Sequence, residues 1–374
     1  MSKLEELIQE LCPDGVEYVD LTDVCQISKG IQFNKKDMHD EGSYPVINGG
    51  ISPSGYIEQY NQLENTITIS QGGASAGYVN WLKTKFWAGA HCYVLKPKEI
   101  VVNRYLYHFV KSKEYKLQEC QYGAGIPALA KATVSTLKIP LPPLSIQCEI
   151  ARILDSFTEL IAELTTELTT ELTARKKQYA HYRDTLFALT NGIEYKTLPE
   201  ISENCDRQRK PVTKGNRQAG VYPYYGASGI VDYVADYIFD GDYLLVSEDG
   251  ANLLARSTPI AFSISGKNWV NNHAHVLKFN FAELQKYVEI YLNSIDLSKY
   301  ISGGAQPKLN QDNLNRIPIP VPSDDEVKRI VGVLTRFDTL CNDLTSGLPA
   351  EIEARQKQYE YYRDRLMTLK EASV

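Results

Sequence analysis

The 374-residue chain is 43% hydrophobic and 23% charged, with a formal net charge of −6. Its length predicts two or three domains rather than one core, and its composition excludes a disordered or fibrous chain. No apolar run approaches the roughly 18 residues of a membrane span, and MSKLEELIQEL carries acids where a secretory signal needs an apolar centre, so the expected location is the cytoplasm.

In chain order, residues 1–24 come first, with seven carboxylates against one lysine. NTITIS (65–70) and HCYVLK (91–96) have the composition of strands, and NRYLYHFVKSKEYK (103–116) reads as a helix. LKIPLPP (137–143) predicts a strand stopped by prolines and leading into a helix that Ser145 caps. In that helix Ile150, Leu154, Phe157, Ile161, Leu164, Leu168 and Leu172 recur every three or four residues, which makes an amphipathic stripe. The pattern then begins again. DYLLVS (242–247) and HAHVLK (273–278) predict strands, LQKYVEIYLNS (284–294) a helix, and PSDDEVKR (322–329) a helix start in which Ser323 and Glu326 form a capping box. A second stripe, Ile330, Leu334, Phe337, Cys341, Leu344 and Leu348, meets Gly347 and Pro349, where the helix is expected to break or kink.

The two halves are copies. ELTARKKQYAHYRDTL (171–186) matches EIEARQKQYEYYRDRL (351–366) at ten of sixteen positions. LKIPLPP answers NRIPIPV (315–321), GAGIPAL (123–129) answers GGAQPKL (303–309), GVEYVDL (15–21) answers GIEYKTL (192–198), and YPVINGG (44–50) answers YPYYGAS (222–228), with offsets that stay between 177 and 182 along the chain, His91 to His273 being the widest. A repeat this long, present twice, implies duplication of a domain with its connector. The predicted class is α/β: two mixed domains at 1–143 and 191–321, each followed by a long helix at 144–190 and 322–374, the second kinked near 347–349. The equivalent stripes are expected to bury each other as an antiparallel coiled coil, giving an internal pseudo-twofold repeat.

Catalytic motifs are missing from the sequence. There is no GxxxxGK[ST] phosphate loop, and LPPL lacks the Asn or Asp and the aromatic that an amino-methyltransferase needs around its prolines. The acids of PSDDEVKR fall in one helical turn, not on the separate strands of a nuclease metal site. Seven cysteines without a CxxC pair read as reduced core thiols. His273 and His275 lie two apart with no Cys or acid nearby in sequence, and His91 holds the place of His273 in the other copy, so a shared fold contact is expected rather than a metal. No catalytic residue, metal or cofactor is expected.

The alternation of Tyr-rich globules with segments such as IPLPPLSIQCEIARILDSF and ARKKQYAHYRDTLF resembles, over the whole chain, the specificity subunits of type I restriction-modification systems. The resemblance implies a noncatalytic subunit whose two target-recognition domains each read half of a bipartite double-stranded DNA target. It also implies helices that separate the halves and dock two methyltransferase subunits, with restriction subunits joining the full complex. ELTTELTTELT (163–173) is similar to the tetrapeptide repeats that set spacer length in that family. Four helical residues add about 6 Å, or about two base pairs. The second copy carries DLTSGLPAEIE instead.

Base edges are read by Asn, Gln, Arg, Lys and Ser, and phosphates by Lys, Arg and backbone amides. Candidates in the first globule are Lys29, Gln32, Asn34, Lys35 and Lys36 in one loop, with Asn48, and Gln71, Gly72 and Ser75 in a Gly-rich loop. In the second they are Arg207, Arg209, Lys210, Lys214, Arg217, Tyr224, Tyr225, Asn252, Arg256 and Lys308. The cluster 207–217 is the strongest, because five neighbouring bases repel one another unless a polyanion is near. The acidic net charge keeps one alternative open, a protein-interaction scaffold that does not bind DNA. Salt dependence of partner binding separates the two.

Overall fold

The computed structural model describes residues 2–123, 125–188, 193–304, 306–343 and 346–372. The chain divides into two compact units, Met1–Leu168 with Glu351–Val374, and Thr169–Ala350.

In the first unit a four-stranded antiparallel sheet has the order Cys25–Lys29, Cys92–Pro97, Thr66–Ser70, Val79–Leu82. A smaller sheet has the order Tyr56–Ile57, Tyr44–Ile47, Trp87–Ala88. Thr66–Ser70 lies inside the larger sheet and is buried along nearly its whole length, with Ile67 and Ile69 opposite Leu95 and Tyr93. The segment read as one helix is two, Asn103–Ser112 and Glu114–Glu119. The chain turns at Lys113 so that the Glu114 carboxylate accepts from the Val79 N–H at 2.7 Å and from Lys111 at 2.6 Å.

Tyr105 of the first of these helices donates its hydroxyl to the Pro140 carbonyl at 2.9 Å. That bond holds the exit strand Lys138–Pro140, which pairs with Tyr18–Asp20. The helix that follows runs Leu144–Ala188, 45 residues. Ser145 therefore sits inside its first turn and is not the cap. The Pro143 carbonyl receives the N–H groups of Ile146 and Gln147 instead. The buried Gln147 side chain fixes the corner, donating to the Pro142 carbonyl at 2.8 Å and accepting from the Val102 N–H at 2.8 Å. Ile146, Ile150 and Leu154 enter the core beside Met367. One turn on, Phe157 packs on Tyr362, with ring centroids 6.3 Å apart, and the hydroxyls of Thr158 and Tyr359 lie 3.0 Å apart. The order of these contacts makes the pairing antiparallel, but the first stripe meets Tyr359, Tyr362 and Met367 rather than the second stripe as expected.

The second unit repeats the plan. Its larger sheet has the order Ser202–Asn204, Ala274–Phe279, Tyr243–Ser247, Ala261–Ile264, and its smaller one the order Gly229–Val234, Ala219–Gly226, Lys267–Val270, Phe239–Asp240. Tyr287 donates to the Pro320 carbonyl at 2.8 Å, and Tyr195 pairs with Pro320 as Tyr18 does with Pro140. This corrects the sequence match of LKIPLPP to NRIPIPV. The structure makes Pro140 equivalent to Pro320 rather than Pro318, a slip of two that an alternating Ile-Pro pattern hides.

Ser323 is the N-cap of helix Asp324–Asn342, but its side chain makes no cap bond. Glu326 instead turns outward to Arg329 at 2.6 Å, so the predicted capping box does not form. The helix stops at Asn342 and a new one runs Leu348–Leu366, a break rather than a kink. A Cβ at Gly347 would lie 2.7 Å from the carbonyl oxygens of Thr339 and Asp343, which is why glycine stands there. Leu344 of the second stripe lies outside the described residues, as does the 189–192 junction. Phe337 meets Tyr182 at 5.6 Å, the second copy of the Phe157–Tyr362 contact. Two cysteines depart from the core expectation, since Cys120 and Cys148 are exposed. No helix among the described residues is long and apolar enough to cross a membrane.

Candidate nucleic-acid interface

At one end of each larger sheet the loops carrying most of the candidate residues are tied together by equivalent backbone bonds. In the first unit the Gln71 N–H donates to the His91 carbonyl, the Leu129 N–H to the Gln71 carbonyl and the Gly73 N–H to the Pro127 carbonyl, each at 2.8 Å. In the second, Glu248 donates to His273 at 2.9 Å, Leu309 to Glu248 at 2.7 Å and Gly250 to Pro307 at 3.1 Å. A tryptophan anchors the neighbouring basic loop in both units. Trp87 donates from its indole to the Ile31 carbonyl at 2.9 Å, and Trp269 to the Lys210 carbonyl at 2.7 Å. Gly30 is required beside Trp87, because a Cβ there would stand 2.3 Å from the Ala88 carbonyl oxygen. Beyond each anchor a short 3-10 turn follows, Lys35–Asp37 and Lys214–Asn216.

On this frame the candidates divide. Lys29, Gln32, Asn34, Lys35 and Lys36 are exposed, as are Arg207, Lys210 and Lys214. The six bases among them make no ion pair among the described residues. Gln71, Gly72 and Ser75 are half-buried along the Gly-rich loop. Asn48 accepts from the His91 N–H at 3.2 Å and so braces the rim.

Other candidates already have protein partners. Arg209 binds Glu248 at 2.7 Å and Asp206 at 3.3 Å, and donates to the Ala274 carbonyl at 2.8 Å. Arg217 binds Asp232 at 3.0 Å and lies 4.3 Å from the Tyr224 ring centroid. Lys308 binds Glu248 at 3.2 Å. The five bases of 207–217 therefore do not all repel one another as expected, since internal carboxylates answer Arg209 and Arg217. Tyr224 is 1% exposed, and its hydroxyl bonds the Val212 backbone, so it is part of the core rather than the surface. Tyr225 is half-buried against Phe262. Asn252 closes its own loop by accepting from Thr258 and Ser257. Arg256, at φ 52°, donates to the Leu292 and Ile295 carbonyls and closes the end of helix Ala282–Ser294.

The histidines have fold contacts too, but with acids that are distant in sequence. His275 is buried, with Nδ1 2.6 Å from Asp206 and Nε2 2.8 Å from the Leu309 carbonyl oxygen. Both partners are acceptors, so both ring nitrogens donate. Burial alone would push the Asp206 carboxyl up, but the bond from His275, its charge, the Val276 N–H and Arg209 outweigh it and hold the group below the usual carboxylate range. Burial likewise opposes ionisation of Glu248, and Arg209, His275 and Lys308 overcome it. His273 lies 2.8 Å from Asp249 on the exposed rim. Among the described residues no three His, Cys, Asp or Glu side chains are grouped to hold a metal ion.

Sequence reasoning missed the tryptophan anchors and the exposed hairpin Ala219–Val234. The chain has three tryptophans, and FWAGAHCYVLK against NWVNNHAHVLK would have revealed the anchors.

A family model described as the type I restriction modification DNA specificity domain matches residues 13–174 and 191–354. The chain belongs to that family. It is 31% identical to a putative type I restriction enzyme specificity subunit of Haemophilus influenzae, covering 97% of each chain. It is also 31% identical to the EcoR124I/EcoR124II specificity subunit of Escherichia coli, covering 98% of this chain and 97% of that one. Among solved structures, the S subunit of a type I system from M. genitalium shares the fold at 20% identity and a TM-score of 0.52, covering 94% and 96%. A chain solved for the complex assembly and conformational transition of the type I R-M system shares it at 14% identity and a TM-score of 0.63, covering 96% and 98%.

Proposed function

We propose that this chain is the noncatalytic DNA-reading subunit of a type I restriction-modification enzyme, acting in the cytoplasm. Each globule reads one half of a bipartite, asymmetric target. The observation that carries this reading is the pair of loop frames, which share their backbone bonds and tryptophan anchors yet display different side chains. Lys29, Lys35 and Lys36, and Arg207, Lys210 and Lys214, are assigned to phosphates. Gln32, Asn34, Gln71 and Ser75 are assigned to base edges. Arg209, Arg217, Lys308, Tyr224, Asn252 and Arg256 position the loops. The paired contacts Phe157–Tyr362 and Phe337–Tyr182 support two equivalent helix surfaces for two methyltransferase subunits, with restriction subunits in the full complex.

Adenine methylation mapped in cells with and without the gene tests the reading. A bipartite motif that disappears with the gene supports it, and an unchanged methylome refutes it. Deleting Thr166–Thr169 is expected to shorten the nonspecific spacer and leave both half-sites intact, because four helical residues leave the stripe in phase. An altered half-site would refute the ruler role. Binding that weakens little with added salt would favour a protein scaffold instead.

A further inference from the structure

The second unit carries an apolar surface that the loop frame does not use. Hairpin strands Ala219–Gly226 and Gly229–Val234 form one side of the smaller sheet, with Gly229–Val234 as its edge strand. Tyr224 and Val234 turn into the core, while Val221 is 77% exposed, Val231 57%, Tyr233 51% and Ile230 49%. In the first unit the equivalent pairing of Tyr44–Ile47 with Tyr56–Ile57 is half-buried or buried throughout. An open edge strand of β-branched and aromatic residues invites uncontrolled pairing unless something covers it.

Its neighbours in the fold indicate what covers it. Lys267 lies 4.6 Å from the Tyr237 ring, which packs on Tyr222 of the hairpin at 5.1 Å. Lys214 stands close enough to Asp232 of the hairpin to help Arg217 hold that carboxylate ionised. The neighbouring strand Lys267–Val270 carries Trp269, the anchor of the Lys210 loop. The ribbon's surroundings are mixed in charge, with Asp240 acting on Lys267 and Asp232 beside Arg217, and the ribbon is continuous with the candidate phosphate contacts through the Trp269 anchor. A two-stranded ribbon fits the major groove, where thymine offers its C5-methyl group as an apolar mark. Register shifts between Ala219 and Tyr222 and between Tyr224 and Tyr225 re-aim side chains along the ribbon.

Resting on the DNA-reading function above, we propose that this hairpin enters the major groove of the second half-site and that Val221, Val231 and Tyr233, spaced along it, recognise thymine methyl groups there. The first globule, with no such ribbon, reads its half-site without it.

The test uses the complex assembled with its methyltransferase subunits and duplexes in which each thymine of the second half-site is replaced in turn by uracil, which lacks only the methyl group. The wild type is expected to bind at least one of these duplexes roughly fourfold more weakly, the factor for one buried methyl group. Val221→Ser and Val231→Ser, at exposed positions that do not support the core, should bind the thymine duplex more weakly and lose the difference between thymine and uracil. Uracil in the first half-site serves as the internal control for folding and assembly. The proposal is overturned by a second half-site indifferent to every uracil, by variants that keep full thymine preference, or by variants that lose only assembly with the methyltransferase, which would make the ribbon a protein contact. Failure of the DNA reading itself is distinct, because then no bipartite motif depends on the gene.

Discussion

The two globules hold equivalent loops in place by different chemistry. Across the larger sheet Tyr93 opposes Ile69, and His275 opposes Val246 at the matching place. Tyr93 donates its hydroxyl to the Leu129 carbonyl at 2.9 Å, and His275 donates Nε2 to the Leu309 carbonyl at 2.8 Å. The carbonyl that receives the bond has kept its place while the donor has changed. The tyrosine makes one neutral bond. The histidine brings a buried charge network with it, Asp206, Arg209, Glu248 and Lys308. On the helix Asn103–Ser112 the polarity is reversed. The first unit buries His108 against Asp155 at 2.7 Å, and the position 182 residues later is the apolar Ile290. Each globule therefore buries a histidine–carboxylate pair in a different place, and the two should fail under different conditions.

The largest expected effect is at Asp206. Asp206→Ala strips the acceptor from His275, from the Val276 N–H and from Arg209, and breaking a buried charged network by removing one partner costs about 3–5 kcal/mol. Tyr93→Phe, which removes only a neutral bond, should cost about 1 kcal/mol. Denaturant unfolding of the full chain, followed by Trp269 fluorescence for one unit and by Trp81 and Trp87 for the other, measures both. Equal losses would break the contrast.

Acid should affect the units in separate windows. Burial pushes the His108 imidazole down to about 4 from 6.5, against the pull of Asp155, whose charge Arg104 already answers. The unfolded chain then binds the extra proton first. The first unit's stability is complete above 6.5 and falls by up to about 3 kcal/mol as pH drops toward 4. Asp206 is held below its ordinary value, so its contribution survives that range and is lost only as pH falls below about 3.8. His108→Ile, copying the second unit, should flatten the first unit's response between pH 6.5 and 4 and leave the second unchanged. A response that persists in the variant would assign it to another group.

A smaller effect is expected at the surface, where the globules should agree. Replacing Arg207, Lys210 and Lys214 by alanine should lower the salt slope of DNA binding by about three, and so should replacing Lys29, Lys35 and Lys36. Replacing Arg209, Arg217 and Lys308 should change the slope much less, because their charges already face Glu248, Asp206 and Asp232. Equal slopes for the paired and unpaired triples would undo the division of the candidate site.

What could be read from the sequence follows from how local each signal is. The central strands and both spacer stripes are local periodicities, and they appear where expected. The repeat itself needed only identity. The pairing of Arg209 with Glu248, the burial of Tyr224 and the capping role of Arg256 depend on residues 12 to 39 positions away that the fold brings together. For this reason a list of basic and polar loop residues mixed readers with braces. Ser145 and the Ser323–Glu326 box failed for the opposite reason. Their motifs were local, but the preceding proline carbonyl and Arg329 competed for the same groups and won.

The smallest effect concerns the helices, where the copies have kept one contact and altered its support. Phe157 meets Tyr362 at 6.3 Å with ring planes 59° apart, and Phe337 meets Tyr182 at 5.6 Å and 31°. Beside the first, Tyr359 shares a hydrogen bond with Thr158. Beside the second, Tyr179 shares a cleft with Asp338, whose carboxylate adds to burial in raising the phenol. Double-mutant cycles with Phe→Leu and Tyr→Leu should give couplings of about 0.5–1.5 kcal/mol for each ring pair. The Phe337–Tyr182 pair should be the stronger, because its rings are closer and more nearly stacked and its helix stops at Asn342, leaving fewer turns to hold it. Phe157 lies within an uninterrupted helix that can hold its backbone without the ring. If the Phe157 pair couples more strongly, continuity of the helix matters less to this pairing than the hydrogen bond at Thr158, and Tyr359→Phe should then remove the excess.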